Sequence, residues 1–244
     1  MQCTMNEGNR NRGRGGGVIF IKFFEFKDFR MTQNLQELIK IYSLNSHIDF
    51  STHLLGQSKD TLIALLSELL TIYINDKNSS TIREALSVTL AGYTHNPEKL
   101  GFNGFRQNSF GKPINCEAKP KNIRSNENKK LNGGGNFTDY TWARFHKDKQ
   151  ENLNMLISGF VDGKLLYLFE FPFADSHFLT HLESQLNKKF PNGDIKGLYL
   201  RSASFSFTHY KNAKIRIIYI CPQLEEYAKF LEKNLFTFLK GNQC

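Results

Sequence analysis

The most constraining stretch of this 244-residue chain is Leu156–Phe173, LISGFVDGKLLYLFEFPF. Two apolar runs, Asn154–Phe160 and Lys164–Phe173, are separated by Val161-Asp162-Gly163. Asp-Gly between hydrophobic runs marks a tight β-hairpin, because both central residues of the favoured turn need positive φ. Such a pair of strands must be covered by other elements, and the rest of the chain offers them. Apolar spacing predicts helices over Gln33–Leu44 and Lys59–Ile74, the second with Leu62, Leu65, Leu66, Leu69 and Leu70 on one face. Thr81, with Glu84 three residues on as a capping box, predicts a third helix ending near Gly92. Short linkers suggest that these helices form a small bundle. After the hairpin, Asp175 or Ser176 caps a helix running through Phe190, and Pro191–Asp194 is a turn. Gly197–Thr208 and Lys214–Cys221 read as strands, and Pro222 opens a last helix whose buried stripe is Leu224, Tyr227, Phe230, Leu231 and Leu235.

The expected fold is therefore α/β (α+β), a mixed central sheet flanked by helices with a helical N-terminal portion. Its expected divisions are 1–30, 31–95 and 96–244, within one compact domain. Residues 1–17 end in RNRGRGGG and are too poor in apolar groups to join a core, so they are expected to be disordered. They are either an Arg/Gly arm able to touch nucleic acid or an artefactual start ahead of Met31, and Val18–Phe26 is either an edge strand or an ill-ordered arm.

Lys and Arg number 32 against 23 Asp and Glu, a net charge of +9. That excess favours polyanionic partners, nucleic acid first among them, through phosphate contacts and counterion release. The four cysteines, Cys3, Cys116, Cys221 and Cys244, form no Cys-X-X-Cys and no zinc spacing. They read as reduced thiols in a cytoplasmic protein. No apolar run reaches membrane-spanning length, and no signal peptide is expected.

The chemistry concentrates in 100–122, LGFNGFRQNSFGKPINCEAKPKN. Along a strand, Glu117 and Lys119 share a face one pleat apart, while Cys116 faces the other way into packing. An acid and an amine so placed can hold a divalent cation and a water beside a phosphate. Beyond them Lys121, Arg124, Lys129 and Lys130 make a basic loop able to follow a phosphate backbone. In LNGGGNFTDYTW, Asn132 and Asn136 flank three glycines, which permit close backbone approach to a ligand. Asn can pair with adenine edges. Arg144, His146, Lys147 and Lys149 continue the basic surface, and Glu170 is a further acid near the hairpin's end.

Glu117-Ala118-Lys119, with the glycine-flanked Leu100–Arg106 before it, resembles the metal-dependent nucleases with the PD-(D/E)XK motif, the superfamily that holds most type II restriction endonucleases. The resemblance implies a restriction-endonuclease-like fold, and Mg2+-dependent hydrolysis of double-stranded DNA at a short specific sequence by a homodimer. It implies that Glu117 binds the metal and that Lys119 aligns the water. Asn103 then stands where the family usually has Asp, as a weaker oxygen ligand. Glu84 occupies the place from which several such nucleases add a carboxylate, although capping its own helix is the simpler role. Asp139 is a reserve metal ligand should Asn103 not serve. Expected DNA contacts are Lys121, Arg124, Asn132, Asn136, Arg144 and Lys147. A structure-selective or repair nuclease with the same site, and a non-catalytic nucleic-acid-binding protein, are the alternative readings.

Overall fold

The computed structural model describes residues 31–75, 80–96, 101–151 and 153–243. The expectations for the N-terminal arm, Cys3 and Cys244 lie outside these residues.

The central element is a six-stranded mixed sheet in the order β1-β2-β3-β5-β6-β8. Its strands are β1 (Thr94–His95), β2 (Gly104–Gln107), β3 (Pro113–Ile123), β5 (Leu153–Val161), β6 (Lys164–Pro172) and β8 (Arg216–Ile220). Only β3 and β5 run parallel, and every other pair is antiparallel. A parallel pair needs a crossover. Here it is made by β4 (Gly135–Tyr140) and α5 (Trp142–Gln150). The expected hairpin is present: β5 and β6 pair antiparallel through Val161↔Lys164. Asp162 has φ 48° and Gly163 φ 81°, the two positive angles of a type I′ turn.

Both faces of the sheet are covered. On one face α4 (Ser80–Leu90) lays Leu86 and Val88 against Cys116, Ala118, Leu156 and Leu168. Buried Ser87 and Ser158 hydroxyls, 2.7 Å apart, fix its position along β5. Cys116 is fully buried on this face, as expected, and burial raises its thiol pKa well above the usual value. On the other face lie α5, α6 (Ser176–Lys189), α7 (Lys233–Gly241) and a separate two-stranded sheet of β4 and β7 (Leu200–Phe205). Their core is aromatic. Phe178 packs edge-on against Phe171, Phe173 and Phe205, and Tyr210 stacks on Phe171 at 4.1 Å. The Asp175 side chain accepts from the Phe178 backbone N–H and starts α6 as expected.

Several expectations are corrected. Two helices were not expected, α2 (His47–Leu55) and α5. α1 (Gln33–Leu44) and α3 (Lys59–Asn75) pack together through Leu35, Leu65 and Ile72, but Leu66 and Leu70 are exposed, so the α3 stripe is narrower than the leucine spacing implies. α4 includes both Ser80 and Thr81, so Thr81 lies inside the helix and is not its expected N-cap, and Glu84 lies beyond the first turn. The strand at 197–208 shortens to β7, pairs with β4 instead of entering the main sheet, and gives way to a 3-10 turn at Phe207–His209. The last helix is broken. Leu224–Phe230 is a 3-10 helix, and Leu231 is extended to bridge Leu131 before α7 begins.

Candidate active site

β2 pairs with β3 only as far as Gly104↔Cys116. Past that point the β2 side of β3 has no neighbouring strand among the described residues, while its other side follows β5 to Ile123↔Val161. The exposed N–H of Ala118 is taken by the Asn103 side-chain carbonyl at 2.7 Å, so an amide side chain extends the ladder by one rung. Two residues on, Pro120 points its missing N–H the same way, and proline is tolerated at an unpaired edge. Glu117 and Lys119 therefore project from a strand that is pinned immediately beside them and open beyond.

Glu117 is 8% exposed, one residue past the last rung between β2 and β3. Lys119 Nζ donates to Glu117 Oε1 at 2.7 Å and lies 4.7 Å over the Phe137 ring. The lysine stem is held by Gly135, where an added Cβ would come within 2.9 Å of Lys119 Cβ and Cγ. Gly135 ends a loop fixed from several directions. Asn132 Oδ1 accepts from Gly134 N–H and from Lys121 Nζ, Asn132 O accepts from Phe207 N–H, and the Tyr210 hydroxyl donates to Gly133 O. The three glycines thus let β4 approach both Lys119 and β7. A Cβ on Gly134 would meet Phe205 O at 2.1 Å.

α5 brings two more charges to the same place. Arg144 reaches Glu117 Oε1 at 3.8 Å through Nη2 and Asp148 Oδ2 at 3.6 Å through Nε, with its guanidinium near the Phe137 and Tyr140 rings. Asp148 is 5% exposed. Burial pushes its carboxyl up to about 6 against the opposing effect of Arg144, and Glu117 adds to the rise. Glu117, Lys119, Asn103, Arg144, Lys147 and Asp148 all line one cleft of about 350 Å3. Lys119 and Thr138 also line an adjoining groove of about 590 Å3 along the open edge of β3, with Glu84, Lys121, Asn132, Asn136 and Ser204 on its walls.

The expected site residues divide accordingly. Asn103, Glu117 and Lys119 come together, with Asn103 holding the strand. Glu84 reaches the groove and not the cleft, and its carboxylate lies 3.4 Å from His95 Nε2. Asp139 is exposed, with φ 52°, and lines neither space. Lys121, Asn132 and Asn136 line the groove, and burial followed by the Lys129 charge lowers the Lys121 pKa. Lys147 is exposed at the cleft, 5.9 Å from the Phe102 ring centre. Arg144 is a site residue, turned inward between two carboxylates. Arg124 is exposed in the turn after β3 and lines neither space. His146 stacks on Trp142. Glu170 lies on the opposite face, bound by Arg216 at 2.8 Å, Arg106 at 3.1 Å and the Tyr93 hydroxyl at 3.2 Å. Asp148 is the residue that the sequence reading passed over. Its only cue was Thr141, a helix-capping residue ahead of Trp142.

The oxygen donors around the cleft suit magnesium, which binds through one or two carboxylates plus waters and substrate phosphate. Among the described residues no three His, Cys, Asp or Glu side chains converge as a closed metal cage. No helix among them is long and apolar enough to cross a membrane. No protein-family model and no curated protein matches the chain.

Proposed function

We propose that this chain is a type II restriction endonuclease, a Mg2+-dependent hydrolase of double-stranded DNA at a short specific sequence, with a restriction-endonuclease-like fold. One observation carries the reading: a half-buried lysine and a buried glutamate, 2.7 Å apart, face a cleft that opens onto a groove along an unpaired strand edge. The order of helix α4, a hairpin with Glu-X-Lys on its second strand, then further strands and helices in a mixed sheet supports the same reading.

The roles follow from position. A bound magnesium ion supplies Lewis-acid polarisation of the phosphate and of a coordinated water. Glu117 contributes a carboxylate oxygen to hold it. Lys119 then turns from Glu117 towards the attacking water and the phosphate, aligning one and offsetting the charge of the other. Phe137 and Gly135 restrict where the ammonium can travel. Asn103 is a positioning residue, fixing Ala118 between the two reacting side chains. Lys121, Asn132 and Asn136 line the path that the duplex would follow, and Lys147 adds charge at the cleft. A palindromic target would require a symmetric homodimer.

The test is incubation of the purified protein with unmethylated plasmid and magnesium. Discrete fragments are expected. A smear would replace sequence-specific cutting with structure-selective or repair cleavage, and retention without cutting would reduce the protein to a nucleic-acid binder.

A further inference from the structure

We propose that Asp148 is the second carboxylate of the cation site, doing from α5 what the resemblance expects of an acid at Asn103. The inference rests on the nuclease reading for its chemistry, and on three observations for its geometry.

The Asn103 side-chain oxygen is occupied in holding the Ala118 N–H at 2.7 Å. That leaves Glu117 as the one acid of the hairpin in the cleft. Asp148 lines the same cleft and is equally buried.

Asp148 is also poorly compensated for a buried acid. The Tyr140 hydroxyl approaches at 3.4 Å and Arg144 Nε at 3.6 Å, both at or beyond the limit of a useful hydrogen bond. Glu170 shows what a structural buried carboxylate looks like in this protein: similarly enclosed, but held by three donors between 2.8 and 3.2 Å. A buried carboxylate with long contacts is costly, and a divalent cation bound by it in the cleft it shares with Glu117 would offset the cost.

Charge balance points the same way. Glu117 and Asp148 offset Lys119 and Arg144 in formal charge, and exposed Lys147 stands at the cleft as a further cation. Adding one divalent cation leaves the cleft positive, as a doubly negative phosphodiester transition state requires. Arg144, beside both carboxylates, holds the pair together before the cation enters and is a positioning residue.

The test is Mn2+ binding by the full chain without DNA, read from the free-ion electron paramagnetic resonance signal, for wild type, Glu117→Gln and Asp148→Asn. Circular dichroism establishes that each variant is folded. Both substitutions are expected to weaken Mn2+ binding at least tenfold. Wild-type affinity in folded Asp148→Asn, or absence of Mn2+ binding by the wild-type chain, overturns the proposal. DNA cleavage is scored separately. Asp148-dependent Mn2+ binding without any cleavage upholds the cation site and ends the nuclease reading, whereas cleavage with Asp148-independent binding ends only the role of Asp148.

Discussion

Gly135→Ala perturbs the proposed lysine without touching its charge. Gly135 is not in the left-handed region, so its backbone accepts alanine. The obstacle is steric. The new methyl carbon would lie 2.9 Å from both Lys119 Cβ and Cγ and 3.1 Å from Phe205 Cζ, whereas ordinary contacts start near 3.4 Å. These atoms are the fixed stem of the lysine, not its mobile tip. The stem or β4 must therefore shift by about half an ångström. Overpacking of this kind costs about 1–3 kcal/mol, and alanine recovers some of it, about 0.4–1 kcal/mol, by restricting the unfolded chain. A net loss of about 1–2 kcal/mol is expected in urea unfolding. Because a misplacement of about 1 Å in an active site can cost about 100-fold, half that displacement should lower kcat for plasmid cleavage about tenfold. KM for DNA should hardly change. Gly241→Ala, whose added carbon meets nothing within 4 Å, serves as the control. Wild-type stability and rate in Gly135→Ala would refute the claim that this glycine is reserved for Lys119.

The remaining expectations concern the two other buried acids. Glu170→Ala leaves Arg106 and Arg216 without their shared partner, and breaking a buried pair in this way costs about 3–5 kcal/mol. Arg216 is half exposed and can turn to water, so a loss of about 3 kcal/mol in urea unfolding is expected, and a loss below about 1 kcal/mol would contradict the network. Burial raises the Glu170 pKa, but the Arg216 hydrogen bond and the Arg106 charge outweigh it and hold the carboxyl below its usual range. A lowered acid stabilises the fold above its unfolded pKa. That contribution should fade as pH falls through and below the usual carboxylate range, and Glu170→Ala should lack this part of the acid transition. Asp148 has the opposite sign. With its carboxyl raised to about 6, wild-type stability falls as pH climbs from the ordinary carboxylate value to about 6. Asp148→Asn should therefore gain up to about 3 kcal/mol at pH 7 and little near pH 4, while losing cation affinity; an unchanged thermal midpoint at pH 7 would show that the buried charge is not destabilising.

What the sequence disclosed was local. The β5–β6 hairpin is written in Asp162-Gly163, the start of α6 in Asp175, and the shared face of Glu117 and Lys119 in the two-residue period of a strand. What it concealed depends on distant partners. β7 reads as a strand, and only its pairing with β4 shows which sheet it joins. Leu231 continues an apparent helical stripe, yet it leaves the helix to bridge Leu131. α5 has few apolar side chains, so WARFHKDKQ reads as basic surface. Folding turns Phe145 and Asp148 inward and brings Arg144 onto Glu117. Asn103 was recognised by its position in the hairpin, but a side chain that caps one strand rung has the same sequence signature as one that holds a metal.

On the proposed mechanism Lys119 acts on the phosphate, and its pairing with Glu117 is not an ordinary ion pair. The most direct measurement compares wild type and Lys119→Ala under single-turnover conditions with magnesium, alongside DNA affinity in calcium. Cleavage should fall by several orders of magnitude, about 4 kcal/mol or more in the barrier, while DNA affinity changes only a few-fold. Equal cleavage rates in the two proteins would contradict the account.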